Sequence, residues 1–373
     1  MHRVVAEINK KNIVSNLNSI RNIIDKKDIV MAVVKANAYG LGMKQISMLL
    51  NENGVNFFAV SSIGEGVNLR EISKEIYILN LSKTFNEDLG VAVNNNIVLT
   101  IYDEHSAQEL IDFVTKNRIK NTIHVHIIID TGMRRFGFCS ISELCDVVRM
   151  LNSNSKIEVD GLYSHFSSAD TDDSYTILQI QRFKNALDKI NENGLNFKYI
   201  HIANSAGAVK FKQYLEFTNM YRIGAFLYGL NSTGIDRDIL PISSVLSVKT
   251  KIIAIKQIKK NQKVGYNGSI IAKSNMRIAV ASVGFYDLNF GSNRKKIKVL
   301  LNNIYVDIIG TICMDHVFLN VTNLDNVNVG DDVIIIGSSK GNEITIEDFS
   351  SMTNVLDINI CTSLGNRVTK KYY

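Results

Sequence analysis

The sequence is poor in several features whose scarcity narrows the protein class. Its 373 residues include no Trp, one Pro and four Cys (Cys139, Cys145, Cys313 and Cys361). The cysteines lack CxxC spacing and paired histidines, which disfavours a disulfide framework or zinc site and indicates reduced thiols in a cytoplasmic protein. No window approaches ~18 uninterrupted apolar residues, and the first residues lack a signal peptide's apolar core. We therefore expect no membrane association for this chain.

An excess of charge of one sign is also missing. Lys and Arg number 42 against 36 Asp and Glu, for a net charge of +6, and no long basic block occurs. Nucleic-acid binding is therefore not predicted. With 46% hydrophobic and 21% charged residues the composition is that of a globular protein, which excludes disorder, collagen and coiled coil. No metal site is predicted.

Short β-branched runs alternate with stretches of helical spacing over the first two-thirds of the chain. This alternation predicts βαβ units and a parallel sheet. Eight runs match the repeat number of a (β/α)8 TIM-like barrel. A doubly wound sheet is the rival, but the first strand is followed by residues 38–42, Ala-Tyr-Gly-Leu-Gly, rather than GxGxxG. The predicted strands are Ile29–Val34, Phe57–Val60, Ile76–Leu79, Ile97–Ile101, Ile123–Ile129, Val159–Tyr163, Tyr199–Ile202 and Ile223–Tyr228.

The pattern changes near the single proline, Pro241. Beyond it, short β-rich runs alternate with turn residues, and only Ile346–Gly365 has helical spacing again. The fold class is therefore α/β, with a barrel followed by a mainly β C-terminal domain. We place the barrel at residues 1–236 and the β domain at 237–373, with residues 1–8 as a candidate strand of the β domain.

Polar residues at the predicted strand ends suggest a site, because catalytic groups of such barrels lie at the C-terminal ends of the strands. Lys35 follows the first strand, where partial desolvation lowers a lysine's pKa and favours Schiff-base chemistry. A solvated lysine is the alternative for any single position. His165, Ser205, Arg135 and Arg222 lie at or beside other strand ends. Together they suggest a site for an anionic aldehyde.

These motifs resemble the alanine racemase family of fold-type III pyridoxal-phosphate enzymes. The resemblance runs in order through nearly the whole chain, and the attachment motif at residues 33–40 alone would be shared with relatives that lack racemase activity. It is carried by Val-Val-Lys-Ala-Asn-Ala-Tyr-Gly at 33–40, Asp-Thr-Gly-Met-Arg-Arg-Phe-Gly at 130–137, Ser-His-Phe at 164–166, His-Ile-Ala-Asn-Ser-Ala at 201–206, Tyr-Arg-Ile-Gly at 221–224, Gly-Tyr at 265–266 and Cys-Met-Asp at 313–315.

The resemblance implies an amino-acid racemase that interconverts L- and D-alanine and supplies D-alanine for peptidoglycan. Lys35 would bind pyridoxal phosphate covalently and act as one of two bases, with Tyr266 as the other, because racemisation needs a proton group on each face of the α-carbon. Arg135 would orient Tyr266 and the substrate. Arg222 would face the pyridine nitrogen and keep it unprotonated, and His165 would pack beside the ring and hydrogen-bond Arg222.

The resemblance also implies the remaining contacts. Tyr39, Ser205 and the backbone at Gly224 and Ala225 would hold the phosphate, with Asn204 nearby. Met314 and Asp315 would shape the substrate pocket; without the flanking motif, Met314 would be interpreted as core filler. Tyr266 would complete the site of the partner subunit, which implies a head-to-tail homodimer with shared active sites.

Four positions depart from the family pattern. Ile128 replaces a lysine that is often carbamylated, Phe285 a gate tyrosine, Ile358 a phosphate-binding tyrosine, and Leu41 a histidine. Because the proton-transfer pair is unchanged, the reaction type should survive, with weaker cofactor retention. Serine or broad-specificity racemases, including the serine racemases of the vancomycin-resistance type, remain open, as do a decarboxylase of the same architecture and a non-catalytic cofactor-binding protein.

Overall fold

The computed structural model describes residues 3–231, 234–236, 238–292 and 297–373. Residue 237, where the second predicted domain begins, lies outside the described residues. Two sheets organise the chain, and a small hairpin, β11 and β12, forms a third. Nineteen strands are described: β1 Val4–Ile8, β2 Ile29–Val33, β3 Phe57–Val60, β4 Tyr77–Asn80, β5 Ile97–Ile101, β6 Ile123–Ile128, β7 Ile157–Tyr163, β8 Tyr199–His201, β9 Met220–Ile223, β10 Leu246–Ile258, β11 Lys263–Val264, β12 Ile270–Ile271, β13 Met276–Ala281, β14 Lys298–Leu301, β15 Ile304–Ile309, β16 Val317–Asn320, β17 Asp332–Ser339, β18 Asn342–Ile344 and β19 Thr369–Tyr372.

Eight parallel strands form the barrel, in the order β8-β7-β6-β5-β4-β3-β2-β9. The remaining gap lies between β8 and β9. Two backbone hydrogen bonds bridge it, from the Asn219 amide to the Ile200 carbonyl and from the Arg222 amide to the Ala203 carbonyl, both 3.1 Å. The barrel is therefore nearly closed, and the carboxyl ends of its strands share one rim.

Helices follow most barrel strands, and polar caps define several of their starts. Asp103 caps a helix in a capping box with Ser106, and Asp172 accepts from the Tyr175 amide at the start of the longest helix. The helices are α1 Lys10–Ile23, α2 Lys35–Tyr39, α3 Met43–Glu52, α4 Ile63–Arg70, α5 Asn86–Asn94, α6 Glu104–Lys116, α7 Ile141–Asn152, α8 Asp173–Glu192, α9 Ser205–Lys210, α10 Ile346–Thr353 and α11 Asp357–Thr362. Among the described residues, no helix is long and apolar enough to cross a membrane.

The C-terminal sheet is built around a ring of six antiparallel strands. The ring runs β17-β14-β15-β16-β13-β10 and closes because β17 also pairs with β10. The first strand of the chain joins this sheet: Val4 pairs with Thr250 in β10, and β1 also pairs in parallel with β19. The N-terminal strand thus lies in the C-terminal sheet and leads directly into α1 of the barrel.

The eighth barrel strand was predicted in the wrong place. It spans Met220–Ile223, whereas Ala225–Tyr228, inside the predicted strand, forms a 3-10 turn. The prediction followed the apolar run and treated Arg222 as lying before the strand. Arg222 is instead a buried member of the strand, 2% exposed. A charged side chain inside a barrel strand breaks the apolar pattern on which the prediction depended.

The barrel interior is only partly apolar. A small apolar cluster from six strands lies inside it, separate from the main core around the helices. Branched aliphatic residues usually fill such barrels. Here the buried polar residues on barrel strands include Asn80, Thr100, His126, Asp160, His201 and Arg222.

Candidate active site

Lys35 begins a turn with an unusual backbone. It follows β2, and the next four residues, Ala36 to Tyr39, all have φ between 53° and 56°, in the left-handed region. Each non-glycine residue in this region costs about 1 kcal/mol. The turn is held by its neighbours: the Ala36 amide donates to Glu65 Oε1 at 2.6 Å, and the Ala38 amide donates to the Val34 carbonyl at 2.7 Å. Strain held by surrounding contacts is typical of functional positions.

The C-terminal domain packs against the end of this turn. Gly40 has φ +83, and a Cβ there would lie 2.2 Å from the Cys361 carbonyl oxygen, so only glycine fits. Next to it, the Tyr372 hydroxyl donates to the Leu41 carbonyl at 2.8 Å. Leu41 itself is fully buried. The position of Lys35 therefore depends on both domains.

Lys35 opens into a cavity of about 190 Å³ at the carboxyl rim of the barrel. The cavity collects every cofactor-binding residue that the sequence analysis named. It is lined by Val33, Lys35, Tyr39, Leu81, His165, Asp170, Asn204, Ser205, Ala206, Arg222, Gly224, Ala225, Phe226 and Ile358. Burial lowers the pKa of the Lys35 amine, and the positive charges of Arg135 and Arg222 lower it further. A lysine in this environment has a larger neutral, nucleophilic fraction than a surface lysine.

Arg222 is the most highly bonded side chain of the cavity. Its Nη2, which carries two hydrogens, lies within hydrogen-bond distance of three acceptors, the carbonyls of Ser164 at 2.8 Å and Ile202 at 3.0 Å and His165 Nδ1 at 3.0 Å, so one hydrogen is shared. Its Nη1 donates to His201 Nδ1. Burial lowers the pKa of Arg222 to about 10, so the guanidinium remains charged at neutral pH. These contacts hold the guanidinium in one orientation at the lining of the cavity.

His165 is held in one neutral form by this contact. Because a guanidinium only donates, His165 Nδ1 accepts from Arg222 and the ring proton resides on Nε2. Burial holds the pKa of His165 well below its ordinary value, and the charges of Arg222 and Arg135 act in the same direction. His165 is therefore neutral and lies beside Arg222, at the place that the resemblance implied.

Hydroxyl and amide donors converge at Gly224. The Gly224 amide donates to Ser205 Oγ at 3.0 Å, which leaves the serine hydroxyl hydrogen for another acceptor. A Cβ at Gly224 would lie 2.5 Å from the Tyr39 hydroxyl. The Tyr39 ring packs on Tyr228 with centroids 4.9 Å apart, and burial raises the pKa of Tyr39 to about 12. Tyr39 therefore remains a neutral donor, which suits an anionic group.

Asn204 has a structural contact as well as its place in the cavity. Its side-chain oxygen accepts from the Gly207 amide at 2.9 Å and caps α9. Because the cap fixes the side-chain oxygen, it also fixes the orientation of the Asn204 side-chain amide group. Ala225 lines the cavity at the start of the 3-10 turn.

Arg135 lies on an ordered loop after β6. Asp130 Oδ1 accepts from the amides of Gly132 at 2.7 Å and Arg134 at 3.2 Å, and the Tyr175 hydroxyl donates to the Gly132 carbonyl at 2.9 Å. Arg135 is exposed and lies over the Phe136 ring, 4.8 Å from its centroid. A second small pocket places it with His165 and with Ile128, the position of the missing lysine. Ile128 is buried on β6 and offers no charge to Arg135.

Tyr266 and Met314 lie on the C-terminal domain and do not line the Lys35 cavity. Their side chains are 66% and 53% exposed. Tyr266 follows Gly265, whose φ is +73, and starts a short turn. The sequence analysis assigned both to the site, and within one described chain they do not meet Lys35.

Asp315 is occupied by ion pairs. It accepts from Arg367 Nη2 at 2.6 Å, and Arg367 also binds the buried Asp287 with two contacts, of 2.6 and 3.0 Å. The Phe285 amide donates to the Cys313 carbonyl and the Tyr286 amide to the Met314 carbonyl. These contacts hold the two segments around Phe285 and Met314 against each other. Asp315 is thus a fixed anion whose pKa the Arg367 hydrogen bond lowers.

Comparison with known proteins identifies the family. The alanine racemase N-terminal domain model matches residues 8–232, and the alanine racemase C-terminal domain model matches residues 245–372. The chain belongs to the alanine racemase family. An alanine racemase from Methanococcus maripaludis is 32% identical over 373 residues, which cover 100% of this chain and 99% of that protein. An alanine racemase 2 from Caldanaerobacter subterraneus is 33% identical over 370 residues, covering 98% of this chain and 94% of that protein.

Solved alanine racemase structures share the fold. The alanine racemase of Clostridium difficile 630 superposes with a TM-score of 0.91 at 29% identity, covering 100% of this chain and 96% of that one. The predicted barrel with a mainly β C-terminal domain is therefore confirmed, as is membership of the alanine racemase family. The chain is an isomerase of that family.

The alanine racemase family uses pyridoxal phosphate, and the cavity fits this group. Lys35 supplies an amine of lowered pKa for the aldehyde. Tyr39 and Ser205 supply hydroxyl donors beside Gly224, whose missing Cβ leaves room for the Tyr39 hydroxyl, and such donors suit a phosphate. Arg222 supplies donors suited to an unprotonated ring nitrogen. Ile358 lines the same cavity and adds no hydroxyl where family members have tyrosine.

Several residues of the site were missed by sequence reasoning. Glu65 holds the turn after Lys35, and His201 accepts from Arg222. His126 and Asp160 continue inward from His201. His201 ends β8 and belongs to the motif at residues 201–206, so the sequence carried a signal for it. His126 and Asp160 lie inside β6 and β7, away from the strand ends on which the prediction of the site depended.

Proposed function

We propose that this protein is a pyridoxal-phosphate-dependent alanine racemase that interconverts L- and D-alanine and supplies D-alanine for peptidoglycan in the cytoplasm. The observation that carries the proposal is the single cavity in which a desolvated lysine, Lys35, faces a buried, charged arginine, Arg222. The relatives named above are alanine racemases, which supports alanine as the substrate.

Pyridoxal phosphate, when bound, supplies the electron sink that makes the α-hydrogen of an amino acid acidic. Lys35 would hold the cofactor, with Tyr39, Ser205, Gly224 and Arg222 as its further contacts. The neutral Lys35 amine accepts a proton on one face of the α-carbon, since its pKa is lowered by burial. Two-way conversion then needs a second proton carrier on the opposite face.

Tyr266 is the second carrier in this proposal. Its phenol is a donor when protonated and a base when ionised, so it can both return and remove the α-proton. Arg135 is the cation assigned to orient Tyr266 and the substrate. Met314 and Asp315 would border the substrate, with the Asp315 carboxylate held by Arg367.

The exposure of Tyr266 supports a homodimer with shared sites. Other large apolar side chains of the C-terminal domain are exposed as well, namely Ile271, Phe285, Tyr286 and Met314. The Ser269 hydroxyl accepts from the Thr311 amide at 3.0 Å, which joins the Tyr266 turn to the Met314 segment. An apolar surface of this kind favours burial against a partner. A head-to-tail partner would bring Tyr266 to the Lys35 cavity of the other subunit.

Alanine and serine differ by one hydroxyl, so the site distinguishes these two substrates less sharply than it distinguishes racemisation from other reactions. One added hydroxyl changes binding in a small pocket by about 1–3 kcal/mol. Phe285, in place of the family's gate tyrosine, is 56% exposed, and Tyr286 beside it stacks under Arg367 at 4.7 Å. A hydroxyl is therefore available at the gate from Tyr286. We assign alanine as the substrate and keep serine as the competitor to be tested.

The deciding experiment is an assay of purified protein with pyridoxal phosphate on L- and D-alanine, serine and lysine, with chiral product analysis and carbon dioxide detection. We expect conversion of alanine in both directions, with slower conversion of serine. Faster turnover of serine than of alanine would overturn the assignment of alanine as the substrate. Carbon dioxide release without racemisation would indicate a decarboxylase. Bound cofactor with no exchange of the α-proton in deuterated water would indicate a non-catalytic protein.

A further inference from the structure

A line of polar side chains, all buried except the half-buried Tyr77, runs from Arg222 away from the cavity, through the barrel. We call His201, His126, Tyr77 and Asp160 the polar column. His201 Nδ1 accepts from Arg222, and His201 Nε2 lies 2.8 Å from His126 Nδ1. His126 Nε2 lies 2.9 Å from the Tyr77 hydroxyl, which donates to Asp160 Oδ2 at 3.0 Å. The column thus joins a buried cation to a buried carboxylate.

The hydrogen bonds of the column can run in one direction only. A guanidinium has only donors, so His201 Nδ1 accepts and the His201 proton resides on Nε2. His126 Nδ1 then accepts from His201, and His126 Nε2 donates to the Tyr77 oxygen. The single Tyr77 proton remains for Asp160, whose ionised carboxylate only accepts. Both ends of the column therefore require the same tautomer of each histidine, with its proton on Nε2.

The charges of the column agree with this direction. Burial lowers the pKa of His126 to about 3 and holds the pKa of His201 well below its ordinary value, so both rings are neutral. Burial raises the pKa of the Tyr77 hydroxyl, which keeps its proton. Burial opposes ionisation of Asp160, but the ion pair with His124 and the hydrogen bond from Tyr77 lower its pKa overall. Asp160 is therefore the column's anion.

The backbone of β7 is built to seat the column. The pairing with β6 shifts between Val125 and His126, so that Asp160 is the extra residue of a β-bulge. Bulges re-aim side chains within a strand. A Cβ at the next residue, Gly161, would lie 2.6 Å from the His126 ring, so His126 needs glycine there. The Tyr163 ring stacks on His201, with centroids 4.8 Å apart and an interplanar angle of 6°.

His124 connects the column to solvent. Its Nδ1 lies 3.0 Å from Asp160 Oδ2, and its side chain is 40% exposed. The neighbouring Asp160 carboxylate raises the pKa of His124. Glu158 is its second anion, 3.9 Å away and 61% exposed. His124 therefore supplies Asp160 with a polar partner at the outer end of the barrel, and Glu158 stays outside the column.

We propose that the polar column positions Arg222 for the cofactor: its one-way hydrogen bonds fix an acceptor, His201 Nδ1, in front of Arg222 and so hold the guanidinium charged and in one orientation. The part of this inference that concerns the cofactor rests on the proposed function. Asp160, at the end of the column away from Arg222, accepts the Tyr77 proton and so sets the direction of the hydrogen bonds. The members of the column are positioning residues, since they act on the cofactor only through Arg222.

The first test reads the tautomers in the unsubstituted protein and uses substitutions only to assign the signals. The sequence has seven histidines, so ¹⁵N-histidine labelling of the full chain gives a small set of imidazole signals. We expect the two buried rings, assigned by His126→Gln and His201→Gln, to be neutral with protonated Nε2 and bare Nδ1, with and without pyridoxal phosphate. A proton on Nδ1 of either ring in the unsubstituted protein would overturn the proposal.

The second test reverses the direction of the hydrogen bonds in the polar column. In Asp160→Asn, the amide can donate to Tyr77, which allows every later bond to turn round and places a His201 Nδ1 proton against Arg222. We expect a mixed tautomer at His201 and about five- to tenfold weaker binding of pyridoxal phosphate, as loss of about one hydrogen bond predicts. Tyr77→Phe removes the hydroxyl that links His126 to Asp160, so His126 should no longer be restricted to the tautomer with its proton on Nε2.

Glu158→Gln is the matched control, because it removes a neighbouring carboxylate of the same strand outside the column. Equal tautomers and equal cofactor affinity in Asp160→Asn, Tyr77→Phe and Glu158→Gln would overturn the proposal. The tautomer signals do not depend on catalysis. If the control binds no pyridoxal phosphate while the tautomers are as expected, the proposed function fails and the column's direction stands.

Discussion

The Glu65 carboxylate bridges two strand ends and holds the backbone next to Lys35. Oε1 accepts from the Ala36 amide at 2.6 Å, and Oε2 accepts from the Ser61 amide at 3.0 Å. Ala36 is the first of the four left-handed residues after Lys35. Since that backbone is strained by itself, the carboxylate stabilises the turn that carries the lysine.

Glu65→Gln should weaken this turn. The glutamine amide nitrogen would face one of the two backbone donors, so one hydrogen bond is lost and a donor is left unpaired. We expect the free energy of unfolding to fall by about 1 kcal/mol, with slower formation of the lysine-bound cofactor absorbance. Glu71→Gln, an exposed position that ends the same helix, is the control. Equal stability and equal binding rates in the two variants would contradict the role of Glu65.

Lys35 should destabilise the cofactor-free protein. Because burial and two arginines lower its pKa, the folded protein binds the lysine proton less tightly than the unfolded chain does. The resulting cost is fully present below the folded pKa and disappears as pH rises towards the unfolded value of ~10.4. Lys35→Met should therefore have a higher Tm than the unsubstituted protein at pH 7, with a gap that closes on raising the pH.

Thermal unfolding of cofactor-free protein between neutral and alkaline pH measures this gap. Lys44→Met, at an exposed lysine, accounts for the general effect of removing a surface charge. A Lys35→Met variant that is less stable than the unsubstituted protein, or a gap independent of pH, would show that the lysine is not desolvated. The same variant should also lose the visible absorbance of the bound cofactor.

Gly224→Ala should displace the Tyr39 hydroxyl proposed to hold the phosphate. The added Cβ would lie 2.5 Å from the Tyr39 hydroxyl and 3.0 Å from its ring carbon Cζ, and the Tyr39 ring is packed against Tyr228. Overpacking of this kind costs about 1–3 kcal/mol. We expect weaker pyridoxal-phosphate binding in titrations followed by absorbance.

Two further variants make this test specific. Gly64→Ala, where no atom lies within 4 Å of the new Cβ, should leave binding unchanged and stabilise α4 slightly. In Gly224→Ala with Tyr39→Phe the clashing oxygen is gone, so the two effects should not add. Additive losses in the double variant would mean that the alanine acts on something other than Tyr39.

The residues explain which parts of the molecule could be predicted from sequence. Strands such as Phe57–Val60 and Ile97–Ile101 are apolar runs bounded by turn residues, and both form over the predicted range. The β9 strand was misplaced because Arg222 interrupts its apolar pattern. Residues 1–8 were expected to be a strand of the β domain, and β1 does pair with β10, but its register, with Val4 opposite Thr250, is not encoded in any local pattern. The domain boundary near residue 237 stays a prediction.

The active site also has residues that could be predicted from the sequence and residues that could not. Lys35, His165 and Arg222 belong to short motifs, so their cavity could be predicted from the order of the motifs. The polar column could not, because its members lie on four separate strands and meet only through the barrel's closure. The direction of its hydrogen bonds becomes evident only when the two ends, Arg222 and Asp160, are seen together.

Mixed subunits test whether the active site is shared. Lys35→Ala and Tyr266→Ala proteins should each be inactive as racemases, since each lacks one of the two proton carriers. If Tyr266 serves the partner's cavity, a hybrid dimer contains one doubly defective site and one intact site. Random mixing in equal amounts should then restore about a quarter of the unsubstituted activity, because half of the dimers are hybrids and each has one working site of two.

The mixture is made by joint refolding or co-expression with two different tags, and hybrids are purified by both tags before assay. Hybrids should have about half the activity of the unsubstituted dimer. Hybrids of Lys35→Ala with unsubstituted protein are the control for subunit exchange. No recovery in the doubly tagged hybrids would place Tyr266 and Lys35 in the same subunit's site, which requires a large movement of the exposed Tyr266 turn towards its own barrel. Such a result would overturn the proposal that the two subunits share each active site.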